Sequence, residues 1–156
     1  INKPNEEISM MEVLLSTNIP LPEGTLPPVY NGGPVEMEAG FILYSADHEI
    51  GNSLKITSNI YLSRESKLLE KISKGEGPKD YMFLLGYAGW GPGQLEDELM
   101  DNSWLTVPGN LDVLFHTPDE RKGPGMEQGL EIYSGVEITG LFPEEKIGNR
   151  EDTVEE

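Results

Sequence analysis

The chain has 156 residues, of which 37% are hydrophobic, and this length and composition suit one domain with a buried core. Its 28 acidic side chains outnumber the 11 basic ones, and the formal net charge of -17 disfavours nucleic acid and an acidic membrane surface as direct partners. The sequence lacks cysteine, which excludes disulfides and thiolate chemistry, and no apolar run reaches the ~20 residues of a membrane helix, so we expect a cytoplasmic protein.

The first part of the chain predicts one helix and two strands. Ser9 is a typical N-cap, and the helix predicted over 9–18 has four apolar side chains at one-face spacing: Met10, Met11, Leu14 and Leu15. A short apolar run with aromatic and branched residues predicts a strand over 40–45, and the alternation of Leu54 and Ile56 with polar residues predicts another over 53–58. The residues between these strands, 46–52, are interpreted as a hairpin loop.

The clearest helical pattern lies between Ser63 and Gly75. Ser63 is the predicted N-cap, and Gly75 is predicted to end the helix in the left-handed conformation. Between them lies an apolar stripe that consists of Leu68, Leu69 and Ile72. The next run, 81–87, is almost entirely apolar, which is typical of a strand that is covered on both faces.

Three short elements are predicted after this apolar strand. A helix is predicted over 94–102, with Leu95 and Leu99 facing the core because they are four residues apart. A strand is predicted over 103–108, which contains branched and aromatic residues. The segment 111–118 fits either a helical turn or a short strand.

The segment GYAGWGPGQLEDEL, residues 86–99, combines a strand end, a glycine-rich turn and a helix start. Free amide groups at the start of a helix attract anions, and glycines let a ligand approach the backbone. The spacing, however, matches neither the dinucleotide fingerprint nor the P-loop, and Glu96, Asp97 and Glu98 would repel a phosphate. A tight structural corner is therefore the favoured interpretation, and a ligand-binding loop is the alternative.

The turn sequence NGGP, residues 31–34, is a second place where the backbone could form a nest for an anion, although a structural turn is again the favoured interpretation. If both loops served one ligand, they would have to meet around a single concave pocket. The candidate ligand-binding residues are then Asn31, Gly32, Gly33, Gly89, Trp90, Gly91, Gly93 and Gln94.

Other chemistry-bearing residues are sparse. Asp97, Glu98 and Asp101 lie close together on a predicted helix and could hold a divalent cation, but a solvated acidic face is the favoured interpretation. His48 is flanked by acids, His116 has no such neighbour, and neither histidine has a serine or cysteine partner at a recognisable spacing. We therefore predict no catalytic residue, no metal site and no cofactor.

Several motifs occur in one order along the chain. They are INKP (1–4), YNGGPVE (30–36), GFILYS (40–45) and GYAGWGPGQLEDEL (86–99), followed by SWLTVP (103–108). In this combination, the sequence over roughly residues 1–118 resembles the YqgE/AlgH family of bacterial proteins. Members of that family usually have further residues before the INKP motif, including core strands, and the present sequence starts at this motif with Ile1.

The resemblance implies an α+β fold in which a bifurcated, mostly antiparallel sheet curls into a pseudo-barrel with flanking helices. We predict one such domain over 1–142, followed by a flexible acidic tail over 143–156, which is poor in apolar residues. The family supplies no established catalytic residues to assign here. One of its branches is labelled a transcriptional regulator on genetic grounds.

Three functional hypotheses follow. The favoured one is a non-enzymatic, regulatory protein that acts through contacts with other proteins, because an acidic surface steers basic partners towards it. The second is a binder of a small molecule or nucleotide, or an enzyme, that uses both glycine-rich loops. The third is direct transcriptional regulation, which would need a local basic face such as the helix after Ser63.

Overall fold

A computed structural model describes residues 3–47, 53–104 and 110–119. In this part of the chain, five strands form one open mixed sheet with the order β1-β5-β2-β4-β3. The strands are β1 (Val29–Asn31), β2 (Val35–Ser45), β3 (Leu54–Thr57), β4 (Ile60–Ser63) and β5 (Tyr81–Tyr87). The helices are α1 (Met10–Ser16), α2 (Ser66–Ser73), α3 (Gln94–Met100) and α4 (Leu111–His116). The predicted α+β class is confirmed, and the sheet of the described residues is not closed into a barrel.

The centre of the sheet is the antiparallel pair of β2 and β5, whose continuous register runs from Gly40↔Leu85 to Tyr44↔Tyr81, with Val35↔Tyr87 paired beyond a register shift. β4 pairs antiparallel with the other side of β2, β3 pairs antiparallel with β4, and β1 joins β5 in parallel. The described sheet is therefore mostly antiparallel. The predicted hairpin between β2 and β3 is wrong, because β4 lies between these two strands.

The two faces of the sheet carry separate apolar cores, because successive side chains of a strand point to opposite faces. Ile42 and Tyr44 of β2 pack in the core that includes α1 and α2, whereas Phe41 and Leu43 pack in the core that includes α4. Both Leu43 and Tyr44 are 0% exposed, so the sheet is covered on both faces at its centre. The prediction of a doubly covered strand over 81–87 is confirmed by the burial of its five central residues.

The start of α1 is fixed by a complete capping box. Ser9 Oγ accepts a hydrogen bond from the backbone N–H of Glu12 at 3.3 Å, and Glu12 Oε2 accepts one from the N–H of Ser9 at 2.7 Å. The hydrogen bonds from the Ser9 backbone and then its hydroxyl hold the pKa of Glu12 below its usual value. The N-cap predicted from the sequence is thus confirmed.

The buried face of α1 differs from the predicted one. Met10, Val13 and Leu14 are buried, whereas Met11 and Leu15 are 49% and 58% exposed. The buried residues follow the i, i+3, i+4 pattern of a helix that lies on a sheet. The prediction that Met11 and Leu15 belong to this face is therefore wrong, because a helix of two turns buries one narrow stripe.

The predicted start of α2 is also wrong. Ser63 is not the N-cap but the last residue of β4, where it is 1% exposed and opposite Ile42 in the ladder. The N-cap is Glu65, whose side chain makes no capping hydrogen bond to a described group, and whose N–H donates to Ser63 Oγ at 3.1 Å. Gly75 has φ = 73°, so the predicted left-handed end of the helix is confirmed.

The third and fourth helices lie beyond β5. α3 is described in full and buries none of its residues, so the prediction that Leu95 and Leu99 reach the core is wrong, and both are only half-buried. The segment 111–116 is a helix, which decides between the helical turn and the short strand that the sequence allowed.

The predicted strand over 103–108 begins with Ser103 and Trp104, which lie in no strand, and continues outside the described residues. His48, the predicted domain end at 142 and the predicted tail also lie outside them.

Candidate functional site

The glycine-rich loop connects β5 to α3. Gly93 precedes α3 as its N-cap with φ = 80°, a left-handed conformation that glycine adopts without a steric penalty. The N–H of Gly91 donates to Gln94 Oε1 at 3.0 Å, and Gln94 Nε2 donates to Glu98 Oε1 at 3.2 Å. The side-chain amide of Gln94, one of the candidate ligand-binding groups, therefore connects this loop to α3.

Both tryptophans of the chain converge on one carboxylate of α3. Glu98 Oε2 accepts hydrogen bonds from the indole N–H of Trp90 at 3.0 Å and from that of Trp104 at 2.6 Å. The two indole rings pack edge to face, with centroids 6.0 Å apart and an angle of 76° between their planes. The hydrogen bonds from Trp104 and then Trp90 lower the pKa of Glu98, so this carboxylate stays ionised. Through Glu98, hydrogen bonds thus connect α3 to the glycine-rich loop before it and to the residues after it.

The NGGP turn packs against the end of β5. The N–H of Gly32 donates to the carbonyl oxygen of Leu85 at 2.8 Å. A Cβ atom on Gly32 would lie 2.2 Å from the carbonyl oxygen of Gly86, and one on Gly33 would lie 2.2 Å from the carbonyl carbon of Tyr87. These two glycines therefore allow two backbone segments to approach closely.

Asn31, the remaining candidate of this turn, holds the amino-terminal segment. Its Oδ1 accepts a hydrogen bond from Asn5 Nδ2 at 2.8 Å, and its N–H donates to the carbonyl oxygen of Lys3 at 2.9 Å. The structure thus places the NGGP turn beside the strand end from which the glycine-rich loop departs. The role of the eight candidate residues in binding a ligand stays a prediction.

A histidine between two carboxylates lies at the end of α4. His116 Nδ1 is 2.9 Å from Asp112 Oδ1, and His116 Nε2 is 2.9 Å from Asp80 Oδ1. The hydrogen bonds to Asp112 and then Asp80 raise the pKa of His116. Asp112 and His116 are four residues apart, a spacing that predicts a contact between them on a helix. Our sequence analysis did not use this spacing. Asp80 is 36 residues from His116, so only the tertiary fold places its carboxylate beside the imidazole.

The backbone around Asp80 is held by the turn that follows β2. The N–H of Asp80 donates to Ser45 Oγ at 3.2 Å, and the N–H of Lys79 donates to Asp47 Oδ2 at 3.0 Å. Ser45 Oγ also donates to Asp47 Oδ1. These bonds fix the residue whose carboxylate contacts His116, so the contact between α4 and the sheet is preorganised.

A second contact joins the sheet to the residues after α4. The hydroxyl of Tyr30 lies 3.0 and 3.2 Å from the two carboxylate oxygens of Asp119. Burial first, and then the neighbouring Asp119 carboxylate, raise the pKa of Tyr30. The hydroxyl therefore remains protonated and serves as a hydrogen-bond donor to Asp119.

An open cavity of about 510 Å³ lies between α1 and α2, above the face of β2 and β5. We call it the α1–α2 groove. Its floor is apolar and mostly buried, and consists of Val13, Gly40, Ile42, Leu69, Phe83 and Leu85. Its rim is mostly exposed and polar, and consists of Ile8, Glu12, Ser16, Thr17, Glu38, Arg64, Glu65 and Ser66. The sequence interpretation missed this groove, because its lining comes from four separate elements.

A second cavity of about 500 Å³ lies between the proline-rich segment after α1 and the end of α2, where Leu26, Ile72 and Tyr81 line it. Neither of the two cavities is lined by any of the eight candidate residues of the glycine-rich loops. In the described ranges, no group of three or more His, Asp or Glu side chains is arranged to hold a metal ion.

Comparison with known proteins gives consistent matches. A family model described as AlgH-like matches residues 1–123. A UPF0301 protein of Desulfotalea psychrophila is 45% identical over 139 residues, which are 89% of this chain and 71% of that protein. A UPF0301 protein of a Marinomonas species is 39% identical over 145 residues, which are 92% of this chain and 75% of that protein.

A solved structure matches the fold as well. The solution structure of the AlgH protein from Pseudomonas aeruginosa has a TM-score of 0.64 and 31% sequence identity, over 83% of this chain and 70% of that one. Among the described helices, none has the length and apolar character to cross a membrane. From the family model, the curated relatives and the solved structure together, the chain belongs to the AlgH-like family, also called YqgE/AlgH, as its motifs predicted.

Proposed function

We propose that the protein acts in the cytoplasm by binding a partner protein, in a regulatory role, and not by catalysing a reaction. The observation that carries the proposal is the α1–α2 groove, which combines an apolar floor with a polar, exposed rim. Protein interfaces have this arrangement, in which an apolar centre is surrounded by polar groups that remain partly in contact with water.

The polar groups of the glycine-rich loop support the same proposal. Gln94 and Glu98 make hydrogen bonds within the loop and α3, and the indole N–H groups of Trp90 and Trp104 donate to Glu98. A site that recognises a small polar ligand needs donors and acceptors that converge on open space. In this loop, these groups converge on one another.

Position-resolved crosslinking in bacteria tests the proposal. A photoreactive amino acid at Thr17, on the groove rim, is expected to give a discrete adduct with one protein. The same amino acid at Leu21, which is 45% exposed and not part of the groove, serves as the control. Equal adducts at both positions, or none at Thr17, would contradict the proposal.

The second candidate function is binding of a small molecule or nucleotide at the glycine-rich loops. The observation that favours it is that the NGGP turn lies against Gly86 and Tyr87, directly before the second loop. A thermal-shift screen with nucleotides and sugar phosphates tests it. A concentration-dependent stabilisation that Gly91→Ala abolishes would support this candidate, whereas no shift at millimolar ligand would reject it.

A further inference from the structure

This inference rests on the proposed function and names the partner chemistry. We infer that the α1–α2 groove binds a short, basic, amphipathic segment of a partner protein. Apolar side chains of the segment would lie on the groove floor, and its Lys or Arg side chains would contact the carboxylates of the rim.

The floor supplies an apolar surface on which apolar side chains of a partner can pack. Gly40 presents no side chain to the groove, and a Cβ atom at this position would lie 2.9 Å from Cζ of Phe83. The Phe83 ring therefore lies directly against Gly40, and both residues belong to the apolar floor of the groove. Burying apolar side chains on such a surface supplies the main favourable free energy of association.

The rim supplies the charge. Glu12, Glu38 and Glu65 contribute three carboxylates, and Arg64 contributes one cation. The guanidinium carbon of Arg64 also lies 5.0 Å from the ring centroid of Phe41, which belongs to the opposite face of the sheet. The rim is therefore acidic on balance, and it attracts cationic side chains and repels phosphates.

The overall charge argues for a foreign partner and against a second copy of the chain. Two copies that each carry a formal charge of -17 repel one another, whereas a basic segment is steered towards the groove. A peptide also fits the open shape of the site better than a small molecule, because the rim residues on both helices are exposed to solvent.

A random peptide library displayed on phage and selected against the whole chain tests the inference. We expect the enriched peptides to combine two or more apolar residues with a net positive charge. Their affinity should fall severalfold when ionic strength is raised from about 0.05 M to about 0.5 M, because salt screens the rim charges.

Variants then locate the binding. The double variant Glu38→Lys/Glu65→Lys should weaken the selected peptides about tenfold or more, since it reverses two rim charges and leaves the capping box of Glu12 intact. The matched control is Glu76→Lys/Glu96→Lys, which makes the same charge change at exposed positions outside the groove and should leave affinity within about twofold.

The apolar part of the inference has its own pair of variants. Ile8→Ser on the rim should weaken binding about threefold or more, and Leu21→Ser, at a similarly exposed position outside the groove, should not. Circular dichroism and the unfolding midpoint of each variant show whether it is folded. A loss of affinity counts only in variants with the wild-type midpoint.

The outcomes separate this inference from the proposed function. Peptides that bind the groove without a net positive charge would overturn the inference and leave the proposed function standing. A dimer that is lost in Ile8→Ser would identify a second copy as the occupant and would also overturn the inference. No peptide with groove-dependent affinity would overturn both.

Discussion

The imidazole of His116 lies 2.9 Å from the carboxylate of Asp80 and joins α4 to the start of β5. Two residues earlier on the same helix, Leu114 is 0% exposed and packs in the core on that face of the sheet. Two contacts therefore hold α4 on the sheet. The packing of Leu114 is independent of pH, whereas the contact of His116 with Asp80 depends on the protonation of the imidazole.

The contact of His116 with Asp80 predicts a pH-dependent contribution of His116 to stability. Because Asp112 and Asp80 raise its pKa in the folded protein above the usual 6.5, the folded state holds the proton more tightly than the unfolded state. The stabilisation by His116 is complete at a pH below the pKa of the imidazole in the unfolded state. It is lost as the pH rises through the pKa of the imidazole in the folded state. Urea unfolding should therefore show a larger wild-type advantage over His116→Gln at about pH 5.5 than at about pH 8.5.

His116→Gln retains His48, so the difference between the two proteins isolates His116. An NMR titration of the imidazole protons should give a pKa above 6.5 for His116 in the folded chain. The same wild-type advantage at both pH values would show that the two carboxylates do not favour the charged imidazole.

The tryptophan pair predicts a fluorescence change on substitution of Glu98. Both tryptophans of the chain donate to Glu98, so all tryptophan emission comes from this cluster. Glu98→Ala should shift the emission to longer wavelength and lower the midpoint of thermal unfolding, because it removes the shared acceptor. Glu96→Ala, in the first turn of the same helix, is the control and should change neither.

Acid titration gives a further check on the same residue. Because the pKa of Glu98 is lowered in the folded protein, its carboxylate stabilises the fold at a pH above the pKa of the unfolded state. This stabilisation is lost as the pH falls through the pKa of the folded state. The wild-type emission should therefore change below pH 4.5, the usual value for this carboxyl group. A midpoint above that value would contradict the hydrogen-bonded cluster.

The close approach of the NGGP turn to β5 predicts a large cost for a single methyl group. In Gly32→Ala, the new Cβ atom would lie 2.2 Å from the Gly86 carbonyl oxygen, so backbone must move. We expect a loss of about 2–3 kcal/mol in the free energy of unfolding. Gly24→Ala, which meets no described atom within 4 Å but has φ = 94°, should cost only about 1 kcal/mol.

Urea unfolding of these two variants distinguishes structural from ligand-binding glycines. If Gly32→Ala were as stable as wild type, the turn would have room for a ligand and the packing account would be wrong. A large loss for Gly32→Ala, with a small one for Gly24→Ala, would support the account.

Sequence patterns predicted the elements whose signals are local. The predicted N-cap Ser9 acts within the first turn of α1, and the apolar run of β5 is continuous. Ser63, by contrast, carries the local signal of an N-cap, but it pairs with Ile42 of β2 and so ends a strand. The pairing of Ser63 with β2 outweighs its local preference for an N-cap position. The local sequence does not reveal this pairing, because the partner strand is distant along the chain.

The candidate site divides in the same way. Asp112 and His116 are four residues apart on one helix, so their contact could have been predicted, whereas Asp80 is 36 residues from His116. The groove depends on the packing of α1 and α2 on β2 and β5, and each of its residues alone reads as an ordinary core or surface position. Such a site has no sequence motif, since its shape arises only from the tertiary arrangement.

The most direct test of the account is an NMR titration of the ¹⁵N-labelled chain with a selected basic peptide, and separately with ATP. We expect the peptide to shift the amide signals of groove residues such as Thr17, Gly40 and Ser66, and ATP to shift none of the loop glycines. Saturable shifts of Gly89, Gly91 and Gly93 with ATP, and no groove shifts with the peptide, would contradict the account.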